Sequence, residues 1–246
     1  DTVAKAAPDG YTLLTSNISS FAIAPPLYGD LDYDPVKDFE PIVAAVEPAT
    51  CLVVHPSVPA KTVAELIAYM KANPGKLTFA IGSTGSAGNL STELLRKASG
   101  IEYLIVPYKG TAPAFQDLIG GQIDGFIDPI LGSAGFAKSG LLKVIAVTSK
   151  ARVGMIPNVP TVGETVPGYD VTNWYAFVAP PGMSRELTER WNREIVKALN
   201  DPGVRDQIKE HGMESVPSSP KELQDKILRE YVLWEKIVKQ AGITSD

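Results

Sequence analysis

The stretch LTFAIGSTGSAGNLSTELLRKASG, residues 77–100, joins an apolar, β-rich run to a helical pattern through a turn carrying Gly82, Gly85 and Gly88. Glycines let a backbone come close to a ligand, and the start of the following helix offers unpaired N–H groups at the positive end of its dipole. An anion can sit on such a turn. The turn contains no lysine, arginine, histidine or carboxylate. Ser83, Thr84, Ser86 and the backbone N–H groups therefore suit a small carboxylate held by neutral donors. A tight strand-to-helix connection with a serine cap needs the same residues, and the sequence leaves both readings open. Two nucleotide readings fail. The spacing is G-x-x-G-x-x-G rather than G-x-G-x-x-G, with no acidic residue about twenty positions on at a strand end, and Gly88-Asn89-Leu90 stands where a P-loop needs Gly-Lys-Ser/Thr.

Asp128 ends the run GFIDP, at the carboxyl end of a strand, where α/β folds place ligands. It can accept hydrogen bonds from a solute or cap the next turn. Lys109 in VPYKG could neutralise an anion, although a strand-end lysine is commonly solvated. His55, between an apolar run and Pro56, reads as structural, and His211 before Gly212 fits a helix carboxyl terminus. Neither histidine has a visible catalytic partner. Ser83 lacks the G-x-S-x-G elbow, and Cys51 lies in an apolar strand where a thiol is inert. Nucleophilic catalysis finds no support.

Composition narrows the classes further. The 246 residues are 44% hydrophobic and carry a formal charge of −5, with no basic run to follow a phosphate backbone. Nucleic acid is not an expected partner. One cysteine cannot form an internal disulfide, and two histidines without a cysteine cluster cannot supply a zinc ligand set, so no metal and no cofactor is expected. No apolar stretch approaches the roughly 20 residues that span a bilayer, so direct membrane insertion is not expected, and no signal segment opens the chain.

Strands and helices must position the turn and Asp128. YTLLTSN (11–17) reads as a strand ending in polar residues, CLVVHP (51–56) as a second, and LTFAI, IEYLIVPY, GFIDP and KVIAVTS as further strands. Thr62 and Glu65 form a capping-box pair before a helix that Asn73-Pro74-Gly75 stops; further helices are expected from about Asn89 and after Thr111. This alternation predicts an α/β fold with mainly parallel sheets. After YAFVAPPG (175–182) only helices follow: Leu187, Trp191, Ile195 and Leu199 recur at helical spacing, Asp201-Pro202 can start a second helix, and Ser219-Pro220-Lys221-Glu222 caps a third bearing Leu223, Ile227, Tyr231, Trp234 and Val238 on one face.

PDGYTLL, LDYDPVKDFEPI, VPYKGTAPAFQDLIGGQIDG, KVIAVTS and VPTVGETVPGY occur in this order. Jointly they resemble the extracytoplasmic solute receptors of the tripartite tricarboxylate transporter system, the Bug or TctC family, over the whole chain. The resemblance implies a type 2 periplasmic-binding-protein fold whose two α/β lobes close on a small solute, with no catalysis. That solute would be a mono- or dicarboxylate, amino acids and aromatic acids among the candidates, and the transporter's membrane subunits would be partners. Lobe one would run over residues 1–48 and 176–246 and lobe two over 49–175. Carried over by motif, the carboxylate loop falls on Gly82, Ser83, Thr84, Gly85 and Ser86, the polar strand end of lobe one on Thr15, Ser16 and Asn17, and a further contact on Asp128. Asn89 stands where family members often carry histidine. The family's first strand, first ligand loop and first helix are absent before Asp1. The resemblance thus implies a periplasmic protein without its signal peptide and with lobe one incomplete at its amino end. A lyase or hydrolase using Asp128 as general base is the rival reading. The ligand-sensing half of a transcription regulator would need a basic helix-turn-helix segment, which the chain lacks.

Overall fold

The computed structural model describes residues 1–241, and the chain leaves and re-enters its first unit: Asp1–Glu47 and the segment from Asn173 onward form one unit, Pro48–Thr172 the other. In the first unit, β1 (Leu14–Asn17) leads into a π-helical turn, Ser19–Ile23, and then into α1 (Ala24–Tyr28), which carries proline in its opening turn. The segment before β2 (Glu40–Pro48) stays non-helical; there the Asp34 carboxylate accepts the N–H groups of Val36 and Lys37.

The second unit opens with β3 (Thr50–Val54), buried at every residue, and continues through α2 (Val63–Ala72), β4 (Thr78–Ile81), α3 (Ala87–Ser99), β5 (Leu104–Pro107), α4 (Thr111–Ile119), β6 (Gly125–Pro129), α5 (Ile130–Lys138) and β7 (Lys143–Val147). Thr62 caps α2 as expected, its hydroxyl accepting the Glu65 N–H at 3.2 Å. The Glu65 carboxylate takes the N–H of Lys61 rather than of Thr62, at 2.7 Å. The chain then returns to the first unit with β8 (Tyr175–Ala179), α6 (Arg185–Leu199), α7 (Pro202–Glu210), β9 (Met213–Ser215) and α8 (Pro220–Ala241). At the start of α8 the Ser219 hydroxyl accepts the Glu222 N–H while the Glu222 carboxylate accepts the Ser219 N–H, a complete capping box.

The sheets are mixed rather than mainly parallel, a correction to the expectation from alternation. The second unit orders its strands β5-β4-β6-β3-β7; β4 is parallel to β5 and β6, whereas β3 is antiparallel to both of its neighbours. In the first unit, ordered β1-β8-β2-β9, β8 runs antiparallel to β1 and β2. The physical reason lies in the connections. Strands linked by a crossover helix, as β4, β5 and β6 are, come out parallel. β3 instead arrives directly from β2 with only Ala49 between them and slots between β6 and β7 in the opposite sense.

Each unit has its own core. Cys51, Val53, Ala80, Phe115, Leu118, Phe126 and Ile130 pack together in the second unit. Ile42, Val43, Ala45 and Ala179 pack with Leu187, Trp191 and Ile195 of α6 in the first, so the helical segment covers the sheet there. α8 lies against the π-helical turn and α1, burying Leu223, Ile227, Trp234 and Val238.

Candidate functional site

Beyond Ile81 the chain turns through residues 82–86 into α3. Gly85 adopts φ +73°, a left-handed conformation that favours glycine, and its N–H donates to Asn89 Oδ1 at 3.0 Å. Ser86 is the N-cap: its hydroxyl accepts the Asn89 N–H at 3.2 Å and donates to the Ser83 carbonyl at 2.8 Å, while its own N–H reaches the same carbonyl at 3.4 Å. Ser86 and Asn89 thus hold the turn's shape. Among the described residues, the N–H groups of Ser83, Thr84, Ala87 and Gly88 and the hydroxyls of Ser83 and Thr84 have no protein partner. Ser83 and Thr84 are exposed, and Asn89 is 4% exposed with its amide Nδ2 unpaired.

Two glycines fix the turn against the sheet. A Cβ at Gly88 would stand 2.7 Å from the Ile127 carbonyl oxygen, so the first turn of α3 rests directly on β6. A Cβ at Gly82 would meet Thr111 Cγ2 at 3.4 Å and the Phe126 ring at 3.9 Å. In the parallel ladder Phe79 pairs with Gly125 and Ala80 with Phe126. Gly82 follows the end of β4 and Asp128 lies near the end of β6, on neighbouring parallel strands.

Asp128 is only 8% exposed, and among the described residues no hydrogen-bond donor or cation meets its carboxyl group. Gly132 approaches it closely: a Cβ added there would lie 3.3 Å from Asp128 Oδ2 and 2.7 Å from Phe115 Cε2. Burial pushes this carboxyl up to about 7. Across the β3–β6 ladder sits Cys51, fully buried, its sulfur 3.2 Å from Ser133 Oγ, which donates to the Ile130 carbonyl at 3.1 Å. Burial pushes the thiol up to about 12, so it is a neutral packing group.

Gly82, Ser83, Thr84, Gly85, Ser86, Asn89 and Asp128 therefore gather at the carboxyl ends of β4 and β6, all within the second unit. Thr15, Ser16 and Asn17 lie in the first unit at the end of β1. Thr15 is exposed, Ser16 is buried with its hydroxyl unpaired, and Asn17 Oδ1 accepts the Ser20 N–H at 3.2 Å. Ala87 and Gly88 as donors escaped the sequence reading; the signal was the N-cap position of Ser86, which leaves the next N–H groups unpaired. Lys109 is exposed, the His55 ring nitrogen meets Ser57 Oγ at 2.7 Å, and His211 donates to the Gln207 carbonyl at 2.7 Å. Among the described residues there is no group of three His, Cys, Asp or Glu that could hold a metal, and no helix is long and apolar enough to cross a membrane. Chemically the site offers fixed neutral donors beside one buried carboxyl.

Comparison with known proteins gives a consistent set of likenesses. The chain matches a family described as "Tripartite tricarboxylate transporter family receptor" over residues 1–243. Protein BugT of Bordetella pertussis is 32% identical over 244 residues, which span 98% of this chain and 75% of BugT. Among solved structures, R. palustris Rpa4515 with adipate superposes with a TM-score of 0.87 at 34% identity, covering 99% of this chain and 82% of that one. MatC (Rpa3494) from Rhodopseudomonas palustris with bound malate superposes with a TM-score of 0.81 at 30% identity, covering 96% and 82%.

Proposed function

The chain belongs to the tripartite tricarboxylate transporter receptor family, and from that premise we propose that it is an extracytoplasmic receptor that captures a small carboxylated solute for such a transporter. Its fold is the type 2 periplasmic-binding-protein fold of that family. The observation that carries the reading is the donor set at the Gly-rich turn. Among the described residues, four N–H groups and two hydroxyls stand unpaired at the amino end of α3, and residues 82–88 carry no side-chain cation. Fixed dipoles of this kind hold a carboxylate without a buried ion pair. Because Gly85 and Ser86 spend their N–H groups on the turn itself, the carboxylate is expected on Ser83, Thr84, Ala87 and Gly88.

Adipate and malate, bound in the two R. palustris structures, make linear dicarboxylates the first solutes to try. Asp128 would meet a second polar group of the solute, and Thr15, Ser16 and Asn17 would be the first unit's contribution. A periplasmic location and the transporter's membrane subunits as partners belong to the same proposal. Receptor is preferred to enzyme on chemical grounds: Asp128 has no titrating partner or nucleophile to work with, since Cys51 is held neutral and the Ser133 hydroxyl is committed to a carbonyl. Thermal-shift screening of carboxylates followed by native mass spectrometry tests this. Recovery of an unchanged bound acid supports a receptor; recovery of a product supports the lyase or hydrolase instead.

A further inference from the structure

The carboxyl group of Asp128 has surroundings that a solvated strand-end carboxylate lacks. It lies near the carboxyl end of β6, beside the parallel strand β4, with Oδ2 3.3 Å from where a Cβ on Gly132 of α5 would stand, and among the described residues nothing donates to it. The elements around it supply no compensating charge. β3 presents Cys51, a neutral thiol; α5 presents Gly132 and Ser133; α3 meets β6 through Gly88. The charged groups of these helices are engaged or exposed: Glu93 of α3 pairs with Arg96 at 2.8 Å, Asp117 of α4 accepts the Tyr108 hydroxyl at 2.6 Å, and Lys138 of α5 and Lys109 before α4 are exposed. A buried carboxylate without donor or cation is costly, whereas a buried carboxylic acid has one proton to give.

Resting on the receptor reading above, we infer that Asp128 meets the solute as a neutral acid, its carboxyl O–H donating to a carboxylate oxygen of the solute, so that capture above neutrality takes up one proton from water. The rise of its pKa to about 7 by burial is consistent with this placement, and a solute carboxylate beside it raises the proton affinity further. One O–H bond forms on Asp128 as the solvent or buffer gives up the proton; the proton stays there and no other covalent bond changes. Two consequences follow. Dicarboxylates gain a donor from the protonated group, which an ammonium end cannot use. Affinity is set by pH, falling about tenfold for each pH unit above 7 up to the pKa of the bound form.

The test is calorimetric titration of the wild-type protein with adipate and with malate at pH 6 and pH 8, each in two buffers of different ionisation enthalpy. Both probes are fully ionised at pH 8, so any proton taken up there comes to the protein. Uptake approaching one proton per bound acid at pH 8, smaller uptake at pH 6, and weaker binding at pH 8 are the expected results. Asp128→Asn keeps a donor at this position without a titrating group, and whatever its affinity its pH profile should be flat. Binding with no proton uptake at pH 8, or the same pH slope in Asp128→Asn as in the wild type, overturns the inference and leaves the receptor reading standing. Failure of carboxylates to bind at either pH overturns both.

Discussion

At the level of single residues, Thr84 and Asp128 make opposite demands on their surroundings. Thr84 is exposed and its hydroxyl is unpaired, so replacing it changes little in the unliganded protein. Thr84→Val should leave the unfolding midpoint close to wild type and weaken carboxylate binding by roughly 1 to 3 kcal/mol, the range for a buried acceptor that loses a donor. Unaltered affinity in calorimetry would move Thr84 out of the site. Asp128 acts on stability. Its folded pKa is raised to about 7, so below about pH 4 both folded and unfolded states hold the proton and the group contributes nothing. As pH rises from about 4 to 7 the unfolded chain releases the proton and the folded protein keeps it, so stability falls, and the full cost stands above 7. Asp128→Asn escapes this cost. Its stability relative to wild type should improve by roughly 2 to 3 kcal/mol between pH 5 and pH 8. Urea unfolding of both proteins at the two pH values checks it, and parallel profiles would contradict the placement of this carboxyl.

At the level of elements, the position of α3 against β6 sets where the donors stand. The Gly88→Ala methyl would fall 2.7 Å from a backbone oxygen that cannot rotate away. That should lower stability by about 1 to 3 kcal/mol despite alanine's better helix propensity, and should weaken carboxylate binding as the Ala87 and Gly88 N–H groups shift. Gly135→Ala in α5 has nothing within 4 Å and should gain about 0.5 to 1 kcal/mol. Equal effects in denaturant unfolding would refute the contact. The same elements show what a sequence can disclose. GFIDP was legible to the residue because Gly125 and Pro129 bound it, and α3 starts at Ala87 rather than near Asn89 because Ser86 is the cap. β2 is not among the strands expected from the sequence; its Pro41 is tolerated beside a register shift between Pro41 and Val43. α5, with Gly132 and Gly135, reads as a weak helix, and three-residue β9 carries too little pattern to see. The glycine turn and Asp128 were visible as candidates. Their meaning was not, because the burial of Asp128, with Gly132 close to its carboxyl, arises only from tertiary packing.

At the level of the molecule, the receptor proposal names Thr15, Ser16 and Asn17 as candidate solute contacts in addition to residues 83–88. Hydrogen exchange should then slow on adding adipate at residues 83–88 and also around Thr15, Ser16 and Asn17; protection confined to Pro48–Thr172 would place the whole site in the second unit. The central claim is that neutral, fixed dipoles at the amino end of α3 hold a carboxylate. Dipoles aligned by a packed helix act at short range and are weakly screened, while an exposed charge pair loses strength as the Debye length shrinks from about 10 Å at 0.1 M to about 3 Å at 1 M salt. The most direct test is calorimetric titration of the wild-type protein with adipate and malate at pH 6, at low and at high ionic strength. Saturable binding of at least one of these acids is expected, with an affinity that changes only a few-fold across that range. No binding, or a collapse in affinity at high salt, would contradict it.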